Sequence, residues 1–119
     1  SNTIRVVMGR QEWLQACKRA AIFARDVANI VRVEVREGEV VVSANSAESG
    51  QGATRLGANV QGGDLEIAFN VRFLIDVLSA LDGPQVALEL NSSTNPGVIK
   101  AVEDEEIFTH VVMPMHLGR

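Results

Sequence analysis

From Thr3 to Met8 the chain alternates weakly between apolar and polar positions and is rich in β-branched residues, which predicts a strand running into Gly9. From Arg10 to about Arg25 the period lengthens. Trp13, Leu14, Cys17, Ala21 and Ala24 share one side of a helix, with Gln11, Gln15, Lys18 and Arg19 opposite. Ile22 falls on the polar side near Gln15 and Lys18, and Phe23 follows it; apolar residues outside the core stripe at a helix end fit either an interface or a packed loop. Beyond Asp26 to Asn29, Val31, Val33 and Val35 alternate with Arg32, Glu34 and Arg36, Glu37-Gly38 turns the chain, and Val40 to Val42 returns. After the small polar loop Ser46 to Gly52, Leu56, Ala58 and Val60 predict one further strand, closed by Gly62-Gly63-Asp64.

The same grammar then repeats. Leu65 to Phe69 reads as a strand, Asn70 as a helix cap, and Phe73, Leu74, Val77, Leu78 and Leu81 as a second apolar stripe that Asp82-Gly83-Pro84 ends. Val86, Leu88 and Leu90 form the next strand, Asn91 to Gly97 a loop, Val98 to Val102 a strand, and residues 103–106 an acidic loop before a last strand from Ile107. Each half is thus βαβββ, offset by about 60 residues. Two such units bury their stripes by placing both helices on antiparallel sheets, which predicts an α+β fold with pseudo-twofold symmetry.

The chain end does not read as an ordinary strand terminus. Val111 and Val112 suit a sheet, but Pro114 has no N–H to give to a ladder and marks the exit from it. Met113, Met115 and Leu117 place large flexible apolar groups beside that exit. Two readings fit: the methionines plug the core, or they wall a groove for peptides, since thioethers adapt to several partners.

Composition narrows the class. The chain of 119 residues is 46% hydrophobic, enough for one domain with a true core. Ser1-Asn2 reads as a cloning scar, leaving 3–117 as the domain. Neither a membrane-spanning run nor a signal-peptide pattern is present, so the cytoplasm is the default compartment. One cysteine, Cys17, excludes an internal disulfide and offers no metal-ligand spacing. The net charge of −4 is uneven: residues 1–72 hold nine basic and eight acidic side chains, residues 73–119 two and seven, leaving +1 and −5. Arg10, Lys18, Arg19 and Arg25 form the basic stretch, opposed by Glu12 alone, and the acids gather in 103–106.

Catalytic chemistry has little to stand on. The sequence lacks a Gly-rich phosphate loop and a Gly-x-Ser-x-Gly elbow. His110 and His116 have no partners that spacing identifies, and four consecutive carboxylates at 103–106 lack the spaced oxygens of a calcium loop. The expectation is no cofactor, no metal and no catalytic residue. An enzyme or ligand-binding α+β domain with its pocket at the tail stays open as an alternative, as does a stand-alone peptide-binding module.

Several separate stretches, in order, resemble one family: Lys18 to Ile22, Ile67 to Val71 with Leu74 to Leu81, Asn95 to Ile99, and Val111 to Met115. Over Thr3 to Leu117 the chain resembles the bacterial DNA polymerase III β subunit, the sliding clamps, in their C-terminal domain. The resemblance implies a DNA-clamp fold, the third of three domains in a protomer, and a non-catalytic processivity factor whose two protomers close into a ring around duplex DNA. It implies that Arg10, Gln15, Lys18, Arg19 and Arg72 face the DNA, contacting its backbone without base readout. It implies a groove lined by Pro96, Gly97, Val111, Val112, Met113, Pro114, Met115, His116 and Leu117, where polymerase subunits, the clamp loader and repair proteins dock linear motifs. Ile22, Phe23 and Glu48 match the subunit interface. The chain departs from the pattern in holding only Glu48 in Ser46 to Thr54, where some clamps carry several acids, and in His116, where arginine is common. The middle domain and linker that complete the family's pocket are absent from this sequence, which predicts weak peptide binding by the domain alone.

Overall fold

The computed structural model describes residues 3–24, 29–44, 53–102 and 109–115. Strand β1 (Ile4–Gly9) leads directly into helix α1 (Arg10–Ala24), followed by β2 (Ile30–Arg36), β3 (Glu39–Ala44), β4 (Thr54–Gly57) and β5 (Asn59–Gln61). The second unit runs β6 (Leu65–Asn70), α2 (Val71–Ala80), β7 (Gln85–Leu90), β8 (Gly97–Ala101) and β9 (Thr109–Val112). The strands form a five-stranded sheet in the order β5-β1-β7-β8-β9 and a four-stranded sheet in the order β4-β3-β2-β6, with every pairing antiparallel.

The two units exchange their first strands. β1 joins β7, β8 and β9 of the second unit, and β6 joins β2 and β3 of the first, so neither unit completes a sheet without the other. The helices are cross-tied in the same way. The Arg10 N–H donates to the Pro84 carbonyl at 2.9 Å and the Val71 N–H to the Asn29 carbonyl at 2.8 Å, so the loop after each helix receives the first N–H of the other. These reciprocal bonds give the predicted pseudo-twofold a physical basis.

Local chemistry explains most boundaries. Gly38 adopts φ +77° in the Glu37-Gly38 turn, a region where a side chain is strained. Asn70 Oδ1 accepts the N–H groups of Arg72 at 2.9 Å and Phe73 at 3.3 Å, satisfying two donors that the first turn of α2 leaves open. Asn70→Ala is therefore expected to cost about 1 kcal/mol of stability, and Asn70→Ser to restore most of it. Urea denaturation of the three proteins checks this, and an alanine variant as stable as the parent would show the cap to be idle.

The core lies between the helices and the inner faces of both sheets. Val6, Val31, Val33, Ile67, Phe69, Leu88 and Ile99 supply the strand side; Trp13, Cys17, Leu74 and Leu78 supply the helix side. Three expectations need correction. The buried stripe of α1 is Trp13, Leu14, Ala16, Cys17, Ala20 and Ala24, while Ala21 lies at its margin. Small alanines at the centre let the helix sit close to its neighbours, and their low hydrophobicity hid the stripe's true axis. Phe73, expected in the core, is 49% exposed, because it sits about 100° around the helix from Leu74. The single strand expected over 56–60 is two strands in different sheets: β4 pairs with β3 and β5 with β1, the chain crossing over at Ala58, whose N–H donates to the Gly38 carbonyl at 3.1 Å.

Candidate docking and nucleic-acid surfaces

The tail repeats that crossing. In β9, Val112 points inward opposite Gly97 and is fully buried, while Val111 points outward opposite Val98 and is 56% exposed. Met113 continues the outward side at 62% exposure. Beyond half-buried Pro114, which has no N–H, the Met115 N–H donates to the Ala68 carbonyl at 2.7 Å. The chain thus leaves the five-stranded sheet and docks on β6, the edge of the four-stranded one. Gly97 permits the close packing beneath: a Cβ there would lie 2.9 Å from Leu90 Cδ2 and 3.4 Å from Phe69 Cζ. Pro96 precedes it, exposed. His116 and Leu117 lie outside the described residues, as do Glu48, Arg25 and the acids at 103–106.

The pseudo-twofold identifies what is particular to this end of the molecule. Val7 and Ala68 are each the fourth residue of their strands; Val7 pairs with Asn59 of β5 and Ala68 receives Met115, so Asn59 and Met115 are equivalent. Counting back from these two residues in each repeat matches Gly57 with Met113, Leu56 with Val112, and Arg55 with Val111. The inward residue is apolar and buried in both units, whereas the outward ones are Arg55 and Gly57 in the first unit and Val111 and Met113 in the second. The helices differ in the same sense: the third residue of α1 is Glu12, and that of α2 is Phe73. Phe73 rises from the N-terminus of α2, three residues past its cap Asn70 and close in sequence to the Ala68 edge that receives the tail. It is the functional candidate that the linear sequence hid, and aligning the two repeats is the signal that exposes it.

The first unit's version of this place is an open cleft of about 330 Å³ between α1 and β4. It is lined by Gln11, Glu12, Gln15, Arg19 and Thr54 over Ala16 and Leu56. The second unit's version carries exposed Val111, Met113 and Phe73 instead. Away from that end, the outer face of the five-stranded sheet is charged, with Glu89 between Arg5 at 2.5 Å and Lys100 at 3.3 Å.

The helices present the expected polar surface. Gln15, Lys18, Arg19 and Arg72 are exposed, and Arg19 Nη1 donates to Thr54 Oγ1 at 2.9 Å. Arg10 is the exception and a correction to its expected place among the outward cations. Its Nε donates to the Gly83 carbonyl at 2.8 Å and its Nη1 to the Leu78 carbonyl at 2.9 Å. The guanidinium closes the C-terminal end of α2, where open carbonyls favour a cation. At the far end of α1, Ile22 is 61% and Phe23 39% exposed, beside a shallow pocket of about 200 Å³ lined by Ala21, Ile22, Asn29 and Arg72.

Reactive chemistry is sparse among the described residues. No group of three His, Cys, Asp or Glu converges as a metal site there. His110 is half-buried opposite Ile99, and burial pushes the Cys17 thiol up to about 12, which keeps it protonated and unreactive at neutral pH. No described helix is long and apolar enough to cross a membrane.

Comparison with known proteins accounts for this arrangement. The beta sliding clamp of Streptomyces coelicolor is 33% identical over 111 residues, covering 89% of this chain and 29% of that protein. That of Haemophilus influenzae is 33% identical over 117 residues, covering 98% and 32%. The crystal structure of the Pseudomonas aeruginosa sliding clamp bound to griselimycin superposes with a TM-score of 0.88 at 30% identity, over 98% of this chain and 31% of that one. The chain therefore spans about a third of the length of these relatives. The family model described as the C-terminal domain of the DNA polymerase III beta subunit matches residues 1–116. Two helices over two antiparallel sheets, repeated about a pseudo-twofold and matched along nearly the whole chain, make this protein a member of the DNA polymerase III beta subunit family.

Proposed function

We propose that this chain is one domain, the third of three, in a ring-shaped processivity clamp of a bacterial replicative DNA polymerase, and that its tail forms the groove where partner proteins dock. Its work is topological and adhesive rather than catalytic, and its place is the cytoplasm. Gln15, Lys18, Arg19 and Arg72 face the duplex on the helices' outer side, as exposed, flexible groups suited to phosphates and indifferent to sequence. Ile22 and Phe23, with Glu48, meet a second protomer that closes the ring. Relatives named beta sliding clamp support the reading.

The observation that carries the docking assignment is the asymmetry between the repeats. Val111, Met113 and Phe73 stay exposed and apolar where Arg55, Gly57 and Glu12 serve the same backbone positions, so the fold does not require apolar residues there. Gly97, with Pro96 before it, pairs with the buried Val112 that lies between Val111 and Met113, and the Met115 N–H ties the tail beyond Pro114 to β6. Polymerase subunits, the clamp loader and repair proteins bind here through short motifs carrying a glutamine and apolar anchors.

The test follows from the same comparison. A labelled Gln-Leu-x-Leu-Phe-type peptide is titrated with this chain by fluorescence anisotropy, and saturable binding is expected with Kd on the order of 0.1–1 mM. The double variant Phe73→Glu, Met113→Gly, which borrows the residues of the first repeat, is expected to keep its circular dichroism spectrum and weaken binding at least tenfold. Griselimycin, the ligand of the P. aeruginosa relative, serves as a competitor. Equal binding by parent and folded variant, or none by either, would sink the groove assignment.

A further inference from the structure

The three methionines occupy three different environments. Met8 is 2% exposed within the core, Met115 is half-buried at the sheet crossing, and Met113 is 62% exposed beside Val111. Thioether oxidation follows access to the sulfur. Met113 is also the most exposed of the apolar residues on which the groove reading relies, and its counterpart Gly57 shows that the backbone does not need a side chain at that position.

We propose that Met113 is a reversible oxidation site that controls docking at the tail, an inference that rests on the groove reading above. The co-reactant is a peroxide. With hydrogen peroxide, a sulfur lone pair attacks one peroxide oxygen and the O–O bond breaks; the oxygen kept by sulfur passes its proton to the departing hydroxide, which leaves as water. Sulfur gives up two electrons and the peroxide takes them. The product is a sulfoxide, a polar and chiral group with a strong acceptor oxygen, in place of a flexible apolar contact. A docked peptide that buries an apolar anchor against this side chain then has to desolvate the S–O group with no donor supplied for it. Because the side chain is not needed for packing, the modification alters the surface and leaves the fold intact. Methionine sulfoxide reductases, one for each epimer, reverse it.

The experiment treats the chain with graded hydrogen peroxide and maps the added oxygen by peptide mass spectrometry. The peptide titration is then repeated on reduced, oxidised and reductase-treated protein, with Met113→Leu as the variant that stays apolar and cannot oxidise. Met113 is expected to oxidise first and Met8 last. Peptide affinity is expected to fall about tenfold or more in the oxidised parent, to return after reductase treatment, and to persist through oxidation in Met113→Leu. Oxidation of Met8 as fast as Met113 overturns the site. Unchanged affinity in the oxidised parent, or the same loss in oxidised Met113→Leu, overturns the control while leaving the groove standing. Absence of binding by the reduced parent removes the groove reading itself, and this inference with it.

Discussion

Trp13→Ala is expected to lower the unfolding free energy by about 3–5 kcal/mol. Trp13 is fully buried and heads the large side chains of the core, at a point where α1 meets both sheets. Its removal takes away the transfer free energy of a large ring and leaves a cavity that close-packed neighbours fill only in part. A domain of this size has a total stability of roughly 5–15 kcal/mol, so the loss is a large share of the whole. The indole Nε1 has no hydrogen-bond partner among the described residues. Trp13→Phe keeps an aromatic ring in place and breaks no hydrogen bond made among the described residues, so it is expected to cost well under half as much as the alanine change. The chain has one tryptophan and no tyrosine, so urea unfolding should be followed by circular dichroism rather than fluorescence. A loss below about 1 kcal/mol for Trp13→Ala would mean that α1 is held mainly by other contacts. The result bears on function because the same helix presents Gln15, Lys18 and Arg19 from its opposite side.

The second large effect is a loss of stability in alkali that belongs to one side chain. Burial raises the Cys17 thiol from 9.0 to about 12, since the thiolate would have to leave water for an apolar site. The folded chain thus holds this proton more tightly than the unfolded chain does. The contribution is complete below the unfolded value near 9 and is lost as pH rises toward the folded value near 12. The slope is at most about 1.4 kcal/mol per pH unit, and the full window amounts to an order of 4 kcal/mol. Denaturation midpoints at about pH 8, 9.5 and 11 should fall steadily in the parent and much less in Cys17→Ala, with the difference between the two proteins isolating the thiol. Lysines and arginines are common to both, and no tyrosine is present to titrate in the same range. Parallel curves for the two proteins would show that the thiolate finds water or a partner in the folded state. The same burial predicts that thiol reagents label Cys17 only on unfolding.

Elements whose cause is local were legible. The Asn70 cap acts within three residues, Gly38 meets the demand of its own turn, and Val31, Val33 and Val35 alternate because a strand has two faces. The βαβββ repeat was visible for the same reason, being a succession of such local signals. Arg10 was not, since its guanidinium is placed by carbonyls 68 and 73 residues away in sequence. Its charge advertised a surface role that the far end of α2 then claimed. The crossing at Ala58 was hidden too, because 56–60 keeps one alternation while its two ends pair with different sheets.

By its own pattern of residues the sequence determined the kind and order of nearly every element, the pairing of two repeats, and the presence of apolar residues at the tail. The tertiary structure decided which sheet each strand joined and which apolar side chains remained in contact with water. Val112 and Val111 are identical and adjacent, yet one is fully buried against the core and the other is more than half exposed. Phe73 and Leu74 divide in the same way around α2. Hydrophobicity is carried by the residue alone, but burial depends on what the rest of the chain brings to each face, and those neighbours arrive from the other repeat.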